Sequence, residues 1–177
     1  MIGKSPLVAN GWKIYLHPLF LDQLDDLNER VEAHRRNDSI GFLKKNATKR
    51  LAAILKLLFE VIPQDPARSE YRQGGTLGER HKHWFRARFF QQYRLFFRYN
   101  TEAKVIIYGW VNDEDTRRAY DSTNDAYRVF RKMLDSGNPS SDWDSLLVEA
   151  SAALKRAERV IGAGTSHVFR ENDDSDR

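Results

Sequence analysis

The first regular pattern along the chain is a strict alternation. Trp12, Ile14 and Leu16 are apolar against Lys13 and Tyr15, which predicts a short strand over Trp12 to Leu16. His17-Pro18 then opens a helix, because proline is favoured in a first turn. Phe20, Leu24, Leu27 and Val31 fall on one face of it, and the polar run "HRRNDS" ends it. A second helix begins near Asn46. It carries Leu51, Leu55, Leu58 and Ile62 until Pro63 and Pro66 stop it, so the two helices form an antiparallel hairpin. The Pro- and Gly-rich stretch that follows reads as a loop. Strands then recur: Trp84 to Phe90, a turn at Gln91-Gln92, Tyr93 to Tyr99, a turn at "NTEAK", and the apolar "VIIYGWV". A helix from about Thr116 or Asp125 to Leu134 carries Tyr127, Phe130 and Leu134, and Gly137 and Pro139 stop it. Ser141 with Asp144 has the spacing of a capping box and opens a last helix through Leu146, Leu147 and Leu154. The expected class is α+β: helices on one face of a small, mostly antiparallel sheet. The expected organisation is an N-terminal arm over residues 1–10, one domain over 11–161 and a loose tail over 162–177.

Composition narrows this. With 177 residues, 41% of them hydrophobic, the chain suffices for one domain with a real core. It has no cysteine, which excludes disulfides, thiolate metal sites and a cysteine nucleophile, and fits the cytoplasm. No apolar run approaches the ~18 residues of a membrane span, and "MIGKSPLVANGW" lacks the apolar stretch of a signal peptide. The formal charge is +4, but it is uneven. Arg68, Arg72, Arg80, Lys82, Arg86, Arg88, Arg94 and Arg98 face only Glu70 and Glu79. Strand alternation sorts Lys82, Trp84, Arg86, Arg88 and Phe90 to one face, with Arg94, Phe96 and Arg98 of the next strand. His81, His83, Phe85, Ala87, Phe89, Tyr93, Leu95, Phe97 and Tyr99 take the other face. The arginine face is then the one the helices leave open. Most charged sheet faces are simply solvated, but like charges on adjacent strands repel, and this stretch has few acids to relieve them. A polyanion is the expected partner, and arginines among aromatic rings suit RNA phosphates and bases.

Other chemistry is thin. His81 and His83 lack a third metal ligand at convincing spacing, so no metal is expected. Asp113, Glu114 and Asp115 read as a solvated turn, and "GGTLGE" does not match a phosphate loop. Trp12, Trp110 and Trp143 read as core, which leaves Trp84 on the basic face as the candidate for base stacking.

Several segments together resemble the YhaV family of bacterial toxins, within the RelE-like ribonuclease superfamily. They are "NGWKIYLHPLF", "ATKRLAAI", "HWFRARF" with "YRLFFRY", "KVIIYGWVNDEDTRRAY", "DAYRVFRKML" and "DWDSLL", spanning roughly Gly11 to Glu149. The resemblance implies a RelE-like fold and a type II toxin–antitoxin toxin that cuts mRNA and blocks translation. It implies an antitoxin similar to PrlF with an AbrB-like domain, and operator DNA bound through that antitoxin. Arg86 matches the arginine important for toxicity in the family, and Arg94 the arginine of the superfamily's central strand. Lys82 and Arg88 match commonly basic positions, and Tyr120 falls near a late tyrosine. Where RelE-like toxins often carry a basic residue after the last strand, this chain has Asn112, Asp113 and Glu114, so Arg117 or Arg118 stands in. Arg86 and Arg94 are then expected to clamp the scissile phosphate without a metal or other cofactor, while Lys82, Arg88 and Arg98 hold its neighbours. An arginine is a poor base, its pKa lying above about 12. The proton acceptor stays open among His81, His83, Tyr120 and water. Two rival readings remain: a non-catalytic RNA- or ribosome-binding protein, and a gyrase-poisoning toxin of the ParE type.

Overall fold

The structure, a computed structural model, describes residues 7–113 and 125–169. Leu7–Ala9 (β1) and Trp12–Leu16 (β2) form a hairpin across Asn10 and Gly11, both at positive φ. Asn-Gly is the residue pair that a tight hairpin turn favours. Part of the expected N-terminal arm is therefore sheet. Pro18–Asn37 (α1) starts as expected: the side chain of His17 accepts the Leu19 N–H at its N-cap. Asn46–Lys56 (α2) runs on through a wider π-turn at Leu57–Val61 and a 3₁₀ turn at Ile62–Gln64, where Pro63 ends it.

Phe85–Phe89 (β3), Tyr93–Asn100 (β4) and Val105–Val111 (β5) are the meander. The sheet order is β1-β2-β5-β4-β3. The sheet is mixed, not mostly antiparallel, because β5 lies beside β2 and runs parallel to it, from Lys13↔Val105 to Leu16↔Tyr108. The reason is burial. Every residue of β5 is buried, so it takes the centre of the sheet, between β4 and the first hairpin.

Helices cover both faces, which overturns the expectation of one open face. On one side α1 and α2 pack with Ile14, Leu16, Leu95, Phe97, Ile106 and Tyr108. Leu154–Val168 (α5) joins them through Ala157, Val160 and Ile161. On the other side Trp84, Phe96, Ile107 and Trp110 form a second core. Asp125–Asp135 (α3) contributes Tyr127, Phe130 and Leu134 to it, and Trp143–Ala152 (α4) contributes Leu146 and Ala150. Phe130 is its hub, stacked on Phe96 at 4.4 Å and on Trp110 at 5.5 Å, with Trp84 edge-on at 5.0 Å. The aromatic residues interleaved with the arginines are thus the floor of a core. Gly109 sits where the β4–β5 register shifts, and a Cβ there would lie 2.7 Å from Trp84.

Two end signals also differ. The N-cap of α4 is Asp142, whose carboxylate accepts the Ser145 N–H at 3.0 Å, rather than Ser141. The chain from Gly162, expected loose, continues α5 to Val168, and Gly164 is buried against Asn28, Leu51 and Leu55. Among the described residues no helix is long and apolar enough to cross a membrane.

Candidate active site

Arg86 lies mid-strand in β3, only 8% exposed. Its Nε donates to the Tyr127 hydroxyl at 2.7 Å and its Nη1 to the Glu70 carbonyl at 2.6 Å. Arg94 stands at the start of β4, two residues before Phe96, the partner of Arg86, and directly opposite Arg88. It is 6% exposed; Nη1 donates to the carbonyls of Gln91 (2.7 Å) and Tyr93 (3.1 Å), while Nε is buried with no partner among the described residues. Among the described residues neither guanidinium is paired with a carboxylate. The sequence folds this way because the β3–β4 turn is held from outside. Asn112, just past β5, accepts the Arg94 N–H at 2.6 Å and donates to the Gln92 carbonyl at 3.0 Å. Phe90 and Gln91 occupy the left-handed region in that turn, which Asn112 and Arg94 lock in place.

Beside Arg86 a cleft opens along β3. Leu57 and Val61 form its apolar wall, and Arg68, Glu70, Tyr71 and Arg72 face Arg86 and Arg88 across it. Arg72 and Arg88 are exposed, and Arg68 is shared with Glu70 at 3.3 Å. Burial pushes the Tyr71 phenol up, with nearby Arg68 opposing it. The cleft is therefore a partly apolar slot with cationic rims and one buried guanidinium at its side. A donor that is itself shielded from water, as Arg86 is, stabilises a developing negative charge far better than one in bulk solvent.

The other expected residues divide. Lys82 is exposed, its ammonium 3.9 Å from Glu79, and His83 is exposed as well. Trp84 is not a stacking platform: it is 1% exposed beneath Phe130, and no base reaches its ring. Arg98 is largely engaged within the fold. It donates to the Ser141 carbonyl and lies over the rings of Trp143 (5.4 Å) and Trp84 (6.0 Å), tying the sheet to α4. Burial lowers its pKa, and Asp142 opposes the shift. His81 is 4% exposed, with Nδ1 2.6 Å from Ser141 Oγ and Nε2 2.8 Å from Asp135. That hydrogen bond holds the Asp135 carboxyl below its usual range. His81 is a pin between the loop before β3 and the end of α3, whereas His83 faces solvent, so the two do not converge on a metal. Glu114, Asp115, Arg117, Arg118 and Tyr120 lie outside the described residues. Sequence reasoning counted Arg68 and Arg72 in the basic cluster without assigning them to a site, and it missed Tyr127. Tyr127 shares the stripe of Phe130 and Leu134. The one sign that it does more than pack is that a buried phenol normally finds a hydrogen-bond partner.

Comparison with known proteins points the same way. A family described as "Toxin with endonuclease activity, of toxin-antitoxin system" matches residues 14–151. "Toxin YhaV" of Escherichia coli O6:H1 is 45% identical over 146 residues, 81% of this chain and 95% of that protein. "Ribonuclease toxin YhaV" of Escherichia coli K12 is 44% identical over the same length, again 81% of this chain and 95% of that protein. No solved structure gives a significant match.

Proposed function

We propose, for a chain that belongs to the YhaV toxin family, an endoribonuclease mechanism that uses arginine in place of a metal. The observation that carries it is the buried guanidinium of Arg86, fixed by Tyr127 and Glu70 beside a cationic cleft and paired with no carboxylate among the described residues. RNA brings its own nucleophile. The 2′-OH attacks the adjacent phosphorus, the bond to O5′ breaks, and a 2′,3′-cyclic phosphate and a 5′-OH result. One proton leaves O2′ and one reaches O5′. Arg86 and Arg94 stabilise the extra charge on the phosphorane, and Arg88 and Lys82 hold flanking phosphates. His81 has both ring nitrogens engaged inside the fold. That favours His83, Tyr120 or water as the proton acceptor.

The same reading covers the finer expectations: a RelE-like fold, action on mRNA in the cytoplasm with or without the ribosome, and a PrlF-like antitoxin of AbrB type. The antitoxin neutralises the toxin by covering the cleft, and the pair meets operator DNA through it. The decisive experiment is RNA cleavage in EDTA, comparing the protein with Arg86→Ala. Cleavage should survive EDTA, and Arg86→Ala should lose about 10²–10³-fold or more, the scale of one oxyanion donor. RNA left intact by the unaltered protein in EDTA and in magnesium, with and without ribosomes, sinks the enzyme reading.

A further inference from the structure

Arginine grips a phosphate best with two parallel N–H groups, and one edge that offers such a pair is Nε with Nη2. In this protein that edge is already half occupied, because Nε of Arg86 donates to the Tyr127 hydroxyl at 2.7 Å. The other amino group, Nη1, is held by the Glu70 carbonyl at 2.6 Å. On that edge Arg86 alone has only Nη2 left, so it cannot close a side-on fork.

The tyrosine is not placed loosely. Its ring is 6% exposed and stands edge-on to Phe96 at 5.6 Å, an arrangement that leaves the hydroxyl few positions to occupy. A phenol that accepts from Nε still carries its own hydrogen, which swings about the C–O bond to meet a further acceptor. Among the described residues nothing takes that hydrogen: the one bond made by the hydroxyl is the one it accepts.

We infer that Tyr127 completes the fork. Its hydroxyl takes the Nε hydrogen of Arg86 and passes a hydrogen bond on to the same phosphate that Nη2 contacts. Tyr127 O–H and Arg86 Nη2 thus form one paired set of donors to the scissile phosphate, beside Arg94. This rests on the proposed function of Arg86 and adds a second residue to it. The arrangement has a consequence for the transition state. The phenolic donor is polarised toward the substrate by a hydrogen bond from a cation, and the chain strengthens as charge builds on the phosphorane oxygen.

The test uses the full-length protein, Tyr127→Phe, Arg86→Ala and the double variant, with two readouts. One is the rate of RNA cleavage. The other is affinity for a 2′-deoxy oligonucleotide, which lacks the nucleophile and stays intact. Tyr127→Phe keeps the ring and its packing, so its thermal unfolding should match the unaltered protein. It should lose about 10²-fold in kcat, as for one donor to a developing oxyanion, with a much smaller change in KM. In the Arg86→Ala background the same substitution should do almost nothing, because the two residues act as one unit. If Arg86→Ala is inactive while Tyr127→Phe cuts and binds like the unaltered protein, the fork is wrong and the arginine site stands. If the two losses multiply in the double variant, Tyr127 acts apart from Arg86 and the inference is likewise overturned. If Arg86→Ala itself cuts and binds normally, the site reading fails and the fork with it.

Discussion

Removing the Trp84 side chain separates a core residue from an RNA-stacking one. In the structure Trp84 is 1% exposed, edge-on to Phe130 at 5.0 Å, against Gly109, and beneath the guanidinium of Arg98. An indole buries about 150–250 Å², which at ~25 cal/mol per Å² is about 4–6 kcal/mol of transfer free energy. Measured aromatic-to-alanine truncations in cores cluster at about 3–5 kcal/mol, so Trp84→Ala should lose about 4 kcal/mol. For a chain of this length each kcal/mol moves Tm by about 2–4 °C. The expected fall is therefore about 8–16 °C. Thermal unfolding followed by far-UV circular dichroism reads this without relying on the tryptophan removed. An exposed stacking ring predicts the opposite signature: an unchanged Tm, with RNA binding weakened by about 1–3 kcal/mol. That outcome would refute the second core.

Three further results follow from the same packing. Gly109→Ala drives a Cβ to within 2.7 Å of Trp84, so overpacking should cost about 1–3 kcal/mol. Most of that loss should vanish when Trp84 is shortened to Phe, and a full loss in both backgrounds contradicts the contact. Asn112→Ala strips the Arg94 N–H of its acceptor, which should cost about 1–3 kcal/mol and speed hydrogen exchange at that amide; unchanged exchange would count against the clamp. His17 offers a pH test. Its Nδ1 accepts the Leu19 N–H, so the neutral ring carries its hydrogen on Nε2 and donates to Glu149 at 2.7 Å. Burial lowers the His17 pKa below 6.5 despite Glu149, so the folded state prefers the neutral ring. The stability it contributes is complete above pH 6.5 and is lost as pH falls from there through the folded pKa. His17→Asn, which keeps a capping oxygen, should flatten that slope, and identical slopes in both proteins rule the linkage out.

Much of the fold is written in local periodicity. The α1 stripe, the Pro18 start, the Pro63 stop and the three meander strands all follow from residue spacing. What escaped is non-local. Direction is invisible to a period of two, so nothing in "VIIYGWV" told that β5 runs parallel to β2. β1 was legible in principle, since Asn10-Gly11 between alternating apolar residues signals a hairpin. The arginine face misled for a chemical reason. Charge was weighed ahead of the aromatic residues sharing that face, yet Trp84 and Phe96 with Trp110 supply enough apolar surface to recruit α3 and α4. Once those helices settle, the cations are sorted by what remains near them: Arg98 into two tryptophan rings, Arg86 onto a phenol, Arg94 onto backbone carbonyls. Alternation placed Arg86 and Arg94 on one face of the sheet, but not which of these cations would be held without an acid.

That last distinction carries an energetic argument. Arg86 and Arg94 are 8% and 6% exposed, and among the described residues their partners are a hydroxyl and carbonyls, not carboxylates. Burying a charge costs several kcal/mol unless an opposite charge answers it. Neutral oxygens offset part of that, and the orphaned Nε of Arg94 shows that the offset is incomplete. The fold therefore holds unspent attraction for an anion at the point where the proposed chemistry needs it. An uncleavable 2′-deoxy oligonucleotide at about 100 times its Kd should stabilise the protein by about 2.7 kcal/mol, or about 5–11 °C in Tm. The titration is run at fixed ionic strength and repeated on Arg86→Ala, since general salt effects act on both proteins alike. An equal rise in both would place the anion elsewhere on the basic surface. A rise confined to the unaltered protein means that the ligand supplies the opposite charge that the buried Arg86 guanidinium lacks among the described residues.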